Sequence, residues 1–116
     1  MQDPLENIAE IDISKAKEML DSCGASFVDI RDPYSYEAAH IPGARNILDH
    51  NLDDFLTRSD RKQPLVVYCY HGNTSLGAAA FFMDQGFEEV YSMGGGFETW
   101  RTIHDTESGK EPESSP

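Results

Sequence analysis

Apolar positions fall into short blocks separated by helical stripes. Ile8 and Ile11 bracket a short first strand. Ala16, Met19, Leu20 and Cys23 then recur at i, i+3, i+4 and i+7, one apolar stripe on a helix that Ser14 caps and Gly24 stops. The stripe puts Cys23 on the core side as a small hydrophobe. Phe27-Val28-Asp29-Ile30 reads as a strand, and Asp32-Pro33 as the cap and first residue of a brief helix, Tyr34 to Ala39. Ile41-Pro42-Gly43 is a turn, Ala44 to Ile47 a further strand, and Leu52, Phe55 and Leu56 mark a short helix. Leu65 to Tyr70 is the strongest strand, nearly continuous in β-favouring residues, as expected of a parallel strand covered on both faces. A polar loop, His71 to Ser75, leads to an alanine-rich helix, Leu76 to Gln85, stopped by Gly86. Val90 to Met93 is a last strand, and Gly94-Gly95-Gly96 turns into a helix with Phe97 and Trp100.

Strands alternating with helices predict an α/β fold, a central parallel sheet with helices on both faces. Ligands in such sheets bind beyond the carboxyl ends of the strands, where Cys69 sits on the expected central strand. Residues 1–105 read as one domain. Residues 106–116 hold no apolar side chain and are expected to form a disordered acidic tail.

Composition narrows the functional classes. The 116 residues are 39% apolar and 10% aromatic, enough for one compact core. Lys and Arg number 9 against 21 Asp and Glu, a net charge of −12. Such a surface repels phosphate backbones and anionic headgroups, which argues against nucleic-acid binding and a polybasic membrane anchor. No apolar run approaches the roughly 20 residues that span a bilayer. The acidic start, MQDPLENIAEID, shows no secretory signal, and there are only two cysteines, Cys23 and Cys69. Together these features predict a reducing cytoplasmic setting with both thiols free. No C-x-x-C or H-x-x-x-H spacing suggests a metal site, and no cofactor is implied.

The segment that carries chemistry is Cys69-Tyr70-His71-Gly72-Asn73-Thr74-Ser75. A buried strand delivers a thiol into a tight loop, and the loop feeds a helix N-terminus with its unpaired N–H groups and partial positive charge. Gly72 allows a sharp turn, and Asn73, Thr74 or Ser75 can cap the helix. Consecutive amides wrapped round one point form an anion nest, and in such settings a thiol pKa falls from about 8.5 to roughly 3.5–7.5. The alternative is an inert cysteine at a strand end. The polar, glycine-containing loop favours a nucleophilic thiolate. Two chemistries use this geometry. Cysteine phosphatases need a guanidinium fork, supplied as C-x5-R, but the sixth residue after Cys69 is Ser75 and no arginine occurs between Cys69 and Trp100. Sulfur transfer from thiosulfate through a cysteine persulfide needs only the thiolate and its amide cradle.

Three blocks resemble the signatures of the rhodanese family in order. They are Phe27 to Pro33 with His40-Ile41-Pro42-Gly43-Ala44, then Val67 to Ser75 with Gly77-Ala78-Ala79, then Gly95-Gly96-Phe97-Glu98-Thr99-Trp100. The chain is similar to single-domain rhodaneses that act as thiosulfate sulfurtransferases. The resemblance implies a rhodanese-like fold and a persulfide at Cys69, with the terminal sulfur held by Tyr70, His71, Gly72, Asn73, Thr74 and Ser75. It implies thiosulfate as donor, sulfite as product, and cyanide or a thiol such as thioredoxin as acceptor. Thr74 and Leu76 depart from the closest pattern, where serine and a polar residue are expected. Thr74 keeps the hydroxyl, while Leu76 alters the rim. A persulfide carrier for a thiolation pathway and a non-catalytic rhodanese-like binding module are the alternatives, although such modules typically lack the cysteine that this chain keeps.

Supporting residues read as follows. Thiosulfate is an anion, so a protein of charge −12 needs a local positive field, for which Arg31 and Arg45 are the candidates by chain neighbourhood. The D-x-R spacing of Asp29 and Arg31 fits better a structural ion pair at the strand end. His71 fits a proton shuttle, an anion guide or plain solvent-facing filler. His40 fits a structural hydrogen-bonding role, Phe97 and Trp100 fit the core, and Gly94 to Gly96 fit a tight turn rather than a phosphate loop.

Overall fold

Leu65, Val66, Val67 and Tyr68 are all buried, and they form β4 (Leu65–Tyr68), the centre of a five-stranded parallel sheet. The computed structural model describes residues 8–110. Its elements run β1 (Ala9–Ile11), α1 (Ile13–Asp21), β2 (Ser26–Asp29), α2 (Pro33–Ala38), β3 (Arg45–Asn46), α3 (Leu52–Arg58), β4, α4 (Thr74–Asp84), β5 (Val90–Met93) and α5 (Gly96–Trp100). The sheet order is β1-β5-β4-β2-β3, with every pairing parallel.

Period-two alternation along the strands builds two cores. Val66 and Tyr68 face one side, with Phe27, Met93, Ile13 and Ala16 of α1, and Phe97 and Trp100 of α5. Leu65 and Val67 face the other, with Val28, Val90, Phe55 of α3, and Ala79 and Phe82 of α4. A central strand with no polar face therefore has to read as a continuous apolar run.

Four expectations change. The cap of α1 is Asp12, whose side chain accepts from Lys15 N–H at 2.8 Å, and Ser14 lies inside the helix. Cys23 is exposed rather than buried. The helix ends at Asp21, and Cys23 takes the left-handed position after the C-cap (φ 56°) that glycine usually fills. Its N–H donates to Leu20 O at 3.1 Å and Gly24 N–H to Met19 O at 2.8 Å, the paired bonds of a Schellman ending. The strand expected over Ala44 to Ile47 contracts to Arg45–Asn46.

The fourth concerns the residues after Trp100. Glu107 forms an antiparallel bridge with His40, its carbonyl accepting at 2.8 Å and its N–H donating at 2.9 Å. The Glu107 carboxylate lies 3.2 Å from His40 Nε2 and accepts from Gly43 N–H at 3.2 Å, while Gly109 N–H donates to Glu37 O at 2.8 Å. The first part of the expected tail is thus held against the domain by polar bonds, which a count of apolar residues does not register. Residues 111–116 lie outside the described residues. His40 is a structural hydrogen-bonding residue: its ring stacks on Tyr36 at 3.8 Å and its Nδ1 donates to Tyr36 O at 2.6 Å.

Candidate active site

β4 ends at Tyr68, and the next residue, Cys69, emerges at the carboxyl edge of the sheet with 7% of its surface exposed. The loop then turns at Gly72 (φ 95°) into α4. The turn is tight against the β5–α5 connection: a Cβ on Gly72 would meet Gly95 N at 3.1 Å. Gly72 N–H donates to Cys69 Sγ at 3.2 Å, and Ser75 N–H at 3.3 Å. Ser75 is the second residue of α4, so its N–H is one of the orphan donors of a helix start. The expected side-chain cap is missing, since Asn73 at the N-cap position makes no capping bond. The thiol fills that place.

α5 explains why the amides face inward. Phe97 N–H donates to Cys69 O at 2.9 Å, and Glu98 N–H donates to Tyr70 O at 3.0 Å. The first amides of α5 hold two loop carbonyls on the far side and leave the sulfur side to N–H groups. This needs close backbone approach. A Cβ on Gly96 (φ 64°) would overlap Tyr70 O and lie 2.7 Å from His71 N. The triple glycine is therefore a tight turn, as expected, and also the brace of the loop.

The thiol pKa lies below its ordinary value. Burial, the largest single influence, pushes it up. Hydrogen bonds from the Ser75 side chain and the Ser75, Gly72 and His71 amides together outweigh burial and favour the thiolate.

The remaining candidate residues divide. Ser75 is fully buried, and its hydroxyl lies 2.7 Å from Ser92 Oγ of β5. Tyr70 and His71 are exposed at the rim, their rings 5.7 Å apart. Asn73 and Thr74 face solvent as α4 begins. Arg31 is not an open cation. It is 6% exposed, and its Nη2 lies 2.6 Å from Asp29 Oδ2 and donates to Ala39 O at 2.7 Å. Its guanidinium lies 4.1 Å from the Phe97 ring and 5.2 Å from the Tyr70 ring, so it supports Tyr70 from below. Burial works against its charge, and the Asp29 carboxylate more than restores it. Arg45 is not at the site: it lines a cavity with Ser26, Leu65 and Cys23, at the amino ends of β2 and β4.

Two residues escape the sequence reading. Ser92 is signalled only by being a hydroxyl in an apolar strand. Arg101 lies near Tyr70 and pairs with Glu98 at 2.5 Å, so it too is a paired cation. It follows the third signature directly, so its position was the available signal. Among the described residues no group of His, Cys, Asp and Glu could hold a metal ion, and no helix is long and apolar enough to cross a membrane.

A doubly covered parallel sheet whose central strand hands a thiol to inward-facing amides defines a class of α/β domain that presents a thiol at the carboxyl edge of its sheet. The Rhodanese-like domain family model matches residues 12–103, and the chain belongs to that family. It is 47% identical over 112 residues to thiosulfate sulfurtransferase GlpE of Pseudomonas aeruginosa, covering 95% of this chain and 98% of the relative. It is 53% identical over 89 residues to the protein of the same name from Ectopseudomonas mendocina, covering 77% and 82%. The solution structure of the rhodanese-like domain from the Anabaena Alr3790 protein superimposes with a TM-score of 0.76 at 24% identity, over 99% of this chain and 86% of that one, and supports the fold.

Proposed function

We propose that the chain is a thiosulfate sulfurtransferase acting through a persulfide on Cys69. The observation that carries this reading is the pair of amides, Gly72 and Ser75, aimed at a thiol whose pKa they depress. The 47% identity to a curated thiosulfate sulfurtransferase along nearly the whole chain supports it.

The Cys69 thiolate attacks the outer sulfur of thiosulfate. The S–S bond of thiosulfate breaks, its electron pair leaves with sulfite, and a new S–S bond makes the persulfide anion. The charge before and after is the same. The terminal sulfur then sits among the loop amides, which donate to it as they would to an oxyanion. A thiophile attacks that sulfur, and the Cys69 thiolate leaves. Cyanide gives thiocyanate, and a thiol acceptor such as thioredoxin takes the sulfur as its own persulfide. This two-step order is ping-pong. Phosphoryl transfer is disfavoured, because Ser75 stands where the arginine fork would be and spends its N–H on the thiol.

The test is thiocyanate formation from thiosulfate and cyanide. The native protein turns over and Cys69→Ser falls to background, a loss of at least about a thousandfold, as for removal of a covalent nucleophile. Equal rates in the two would end the proposal. Slow turnover with thiosulfate beside rapid loading from a desulfurase would favour the carrier reading.

A further inference from the structure

An apolar groove opens beside the sulfur, on the face of the sheet where α4 packs. Val28 of β2 and Val67 of β4 are in register, and both belong to that face. Two residues further on, Ile30 packs on the same core, and its N–H donates to Tyr68 O at 3.1 Å. The residue after Tyr68 is Cys69, so Ile30 and Cys69 leave adjacent strands side by side. Neighbours of that kind lie about 5 Å apart. The groove has a volume of about 610 Å³, and Ile30, Leu52 of α3 and Ala78 and Phe81 of α4 line it. Ala78 lies one helical turn beyond Thr74 of the Cys69 loop. Phe81 keeps 39% of its surface in water, so this wall is unfilled by the chain itself. Asp49 and His50 are the only ionisable groups in the lining, which has no lysine or arginine among the described residues.

Thiosulfate and cyanide are small anions that need only the loop amides, so neither accounts for this groove. Its volume falls within the roughly 300–1,000 Å³ of small-molecule sites. Apolar walls without a cation, in a chain of charge −12, reject a thiol that carries carboxylates and accept one whose body is apolar. We infer that the groove is the acceptor subsite: it binds a small thiol with an uncharged, apolar body and holds its sulfur beside Cys69. The inference rests on the reading of Cys69 as the sulfur carrier. The acceptor thiol gives its proton to solvent, and its sulfur bonds to the terminal sulfur of the persulfide. The bond from that sulfur to Cys69 Sγ breaks, with its electron pair left on Sγ. The acceptor departs as a persulfide, and Cys69 returns as the thiolate.

The experiment uses a Cys23→Ser parent, in which Cys69 is the sole thiol. After thiosulfate loading, loss of the Cys69 persulfide is followed by intact mass with benzyl mercaptan, mercaptoethanol or mercaptosuccinate as acceptor. Each rate is divided by that thiol's rate with a free low-molecular-weight persulfide, which removes differences in intrinsic reactivity. Benzyl mercaptan then leads mercaptoethanol by about tenfold or more, as a few apolar carbons in a hydrophobic site give, and mercaptosuccinate is the slowest. Ala78→Leu fills the groove, and Phe81→Ala removes one wall. Each cuts the benzyl lead by at least about fivefold, while thiocyanate formation from cyanide stays within about twofold of the parent. Equal corrected rates for the three thiols overturn the inference. So does a benzyl lead that survives both variants. If the variants do not fold, alkylation of the parent carries the test without a sulfur donor. N-benzyliodoacetamide then outpaces iodoacetamide at Cys69 by about tenfold more than it does at a free cysteine, because the groove holds its ring beside the sulfur. The absence of that excess overturns the inference. Thiocyanate production without either benzyl preference refutes the subsite alone. A benzyl preference in alkylation without thiocyanate production refutes the sulfur-transfer reading and leaves the groove beside Cys69.

Discussion

At Cys69 the N–H groups of Gly72 and Ser75 offset the cost of burying a charge, whereas Cys23 is exposed and lies off the end of a helix. The two thiols differ by backbone environment. Cys69 alkylation is expected to have its midpoint below that of a free cysteine. The sign follows from the depressed pKa: the thiolate persists as pH falls below the ordinary thiol range and is lost only through the lower, folded value. Its contribution to stability is present above the unfolded thiol pKa and disappears as pH falls through the folded one. An alkylation midpoint at or above that of a denatured control would contradict the site. Cys23 carries a separate prediction. A side chain at φ 56° is strained, so Cys23→Gly is expected to raise the unfolding free energy by about 0.5–1 kcal/mol, read from denaturant midpoints. The spacing i, i+3, i+4, i+7 pointed Cys23 inward because periodicity continues past the point where a helix stops. Ser14 was a plausible cap for a similar reason: Asp12, two residues earlier, caps equally well, and Ile13 between them is the first buried residue of α1.

Elements set the geometry that these residues exploit. β4 supplies the thiol, α4 the orphan amides and α5 the brace. The strand β4 is legible as a nearly continuous apolar run with β-favouring side chains, although it ends at Tyr68 rather than Tyr70, and β5 has the bounds expected of it. The order of strands and helices carried the parallel topology. The loop's inward amides were legible only in outline. The cause is the pair of bonds from Phe97 and Glu98 to the Cys69 and Tyr70 carbonyls, which join segments more than twenty residues apart. Gly96 is the test of that brace. Gly96→Ala forces a methyl group into the Tyr70–His71 peptide and a side chain into a left-handed conformation. It is expected to cost more than about 2 kcal/mol and most of the activity. Gly77→Ala is the control, in the same fold and on α4. Nothing lies within 4 Å of its added methyl, so it is expected to stabilise by about 0.5–1 kcal/mol. Equal effects in thermal and activity assays would remove α5 from the account.

The whole molecule carries a charge of −12, and thiosulfate is a dianion. Reading charge along the chain nominated Arg31 and Arg45, but chain neighbourhood is a poor guide to which end of a strand a side chain serves. Arg31 is spent on Asp29, and Arg45 lies at the amino ends of the strands. What remains at the sulfur is backbone: amides and a helix start, which have no signature in composition. The fold was more legible than the site because it depends on apolar patterning along the chain, whereas the site depends on carbonyls and hydroxyls brought together by folding. The central claim is that this backbone pocket holds a sulfur atom on Cys69. Intact-mass and peptide spectra after brief thiosulfate treatment test it directly. The account predicts a gain of one sulfur atom, located on the peptide containing Cys69, removed by cyanide or a reducing agent and absent in Cys69→Ser. No gain, or a gain located on Cys23, would contradict it.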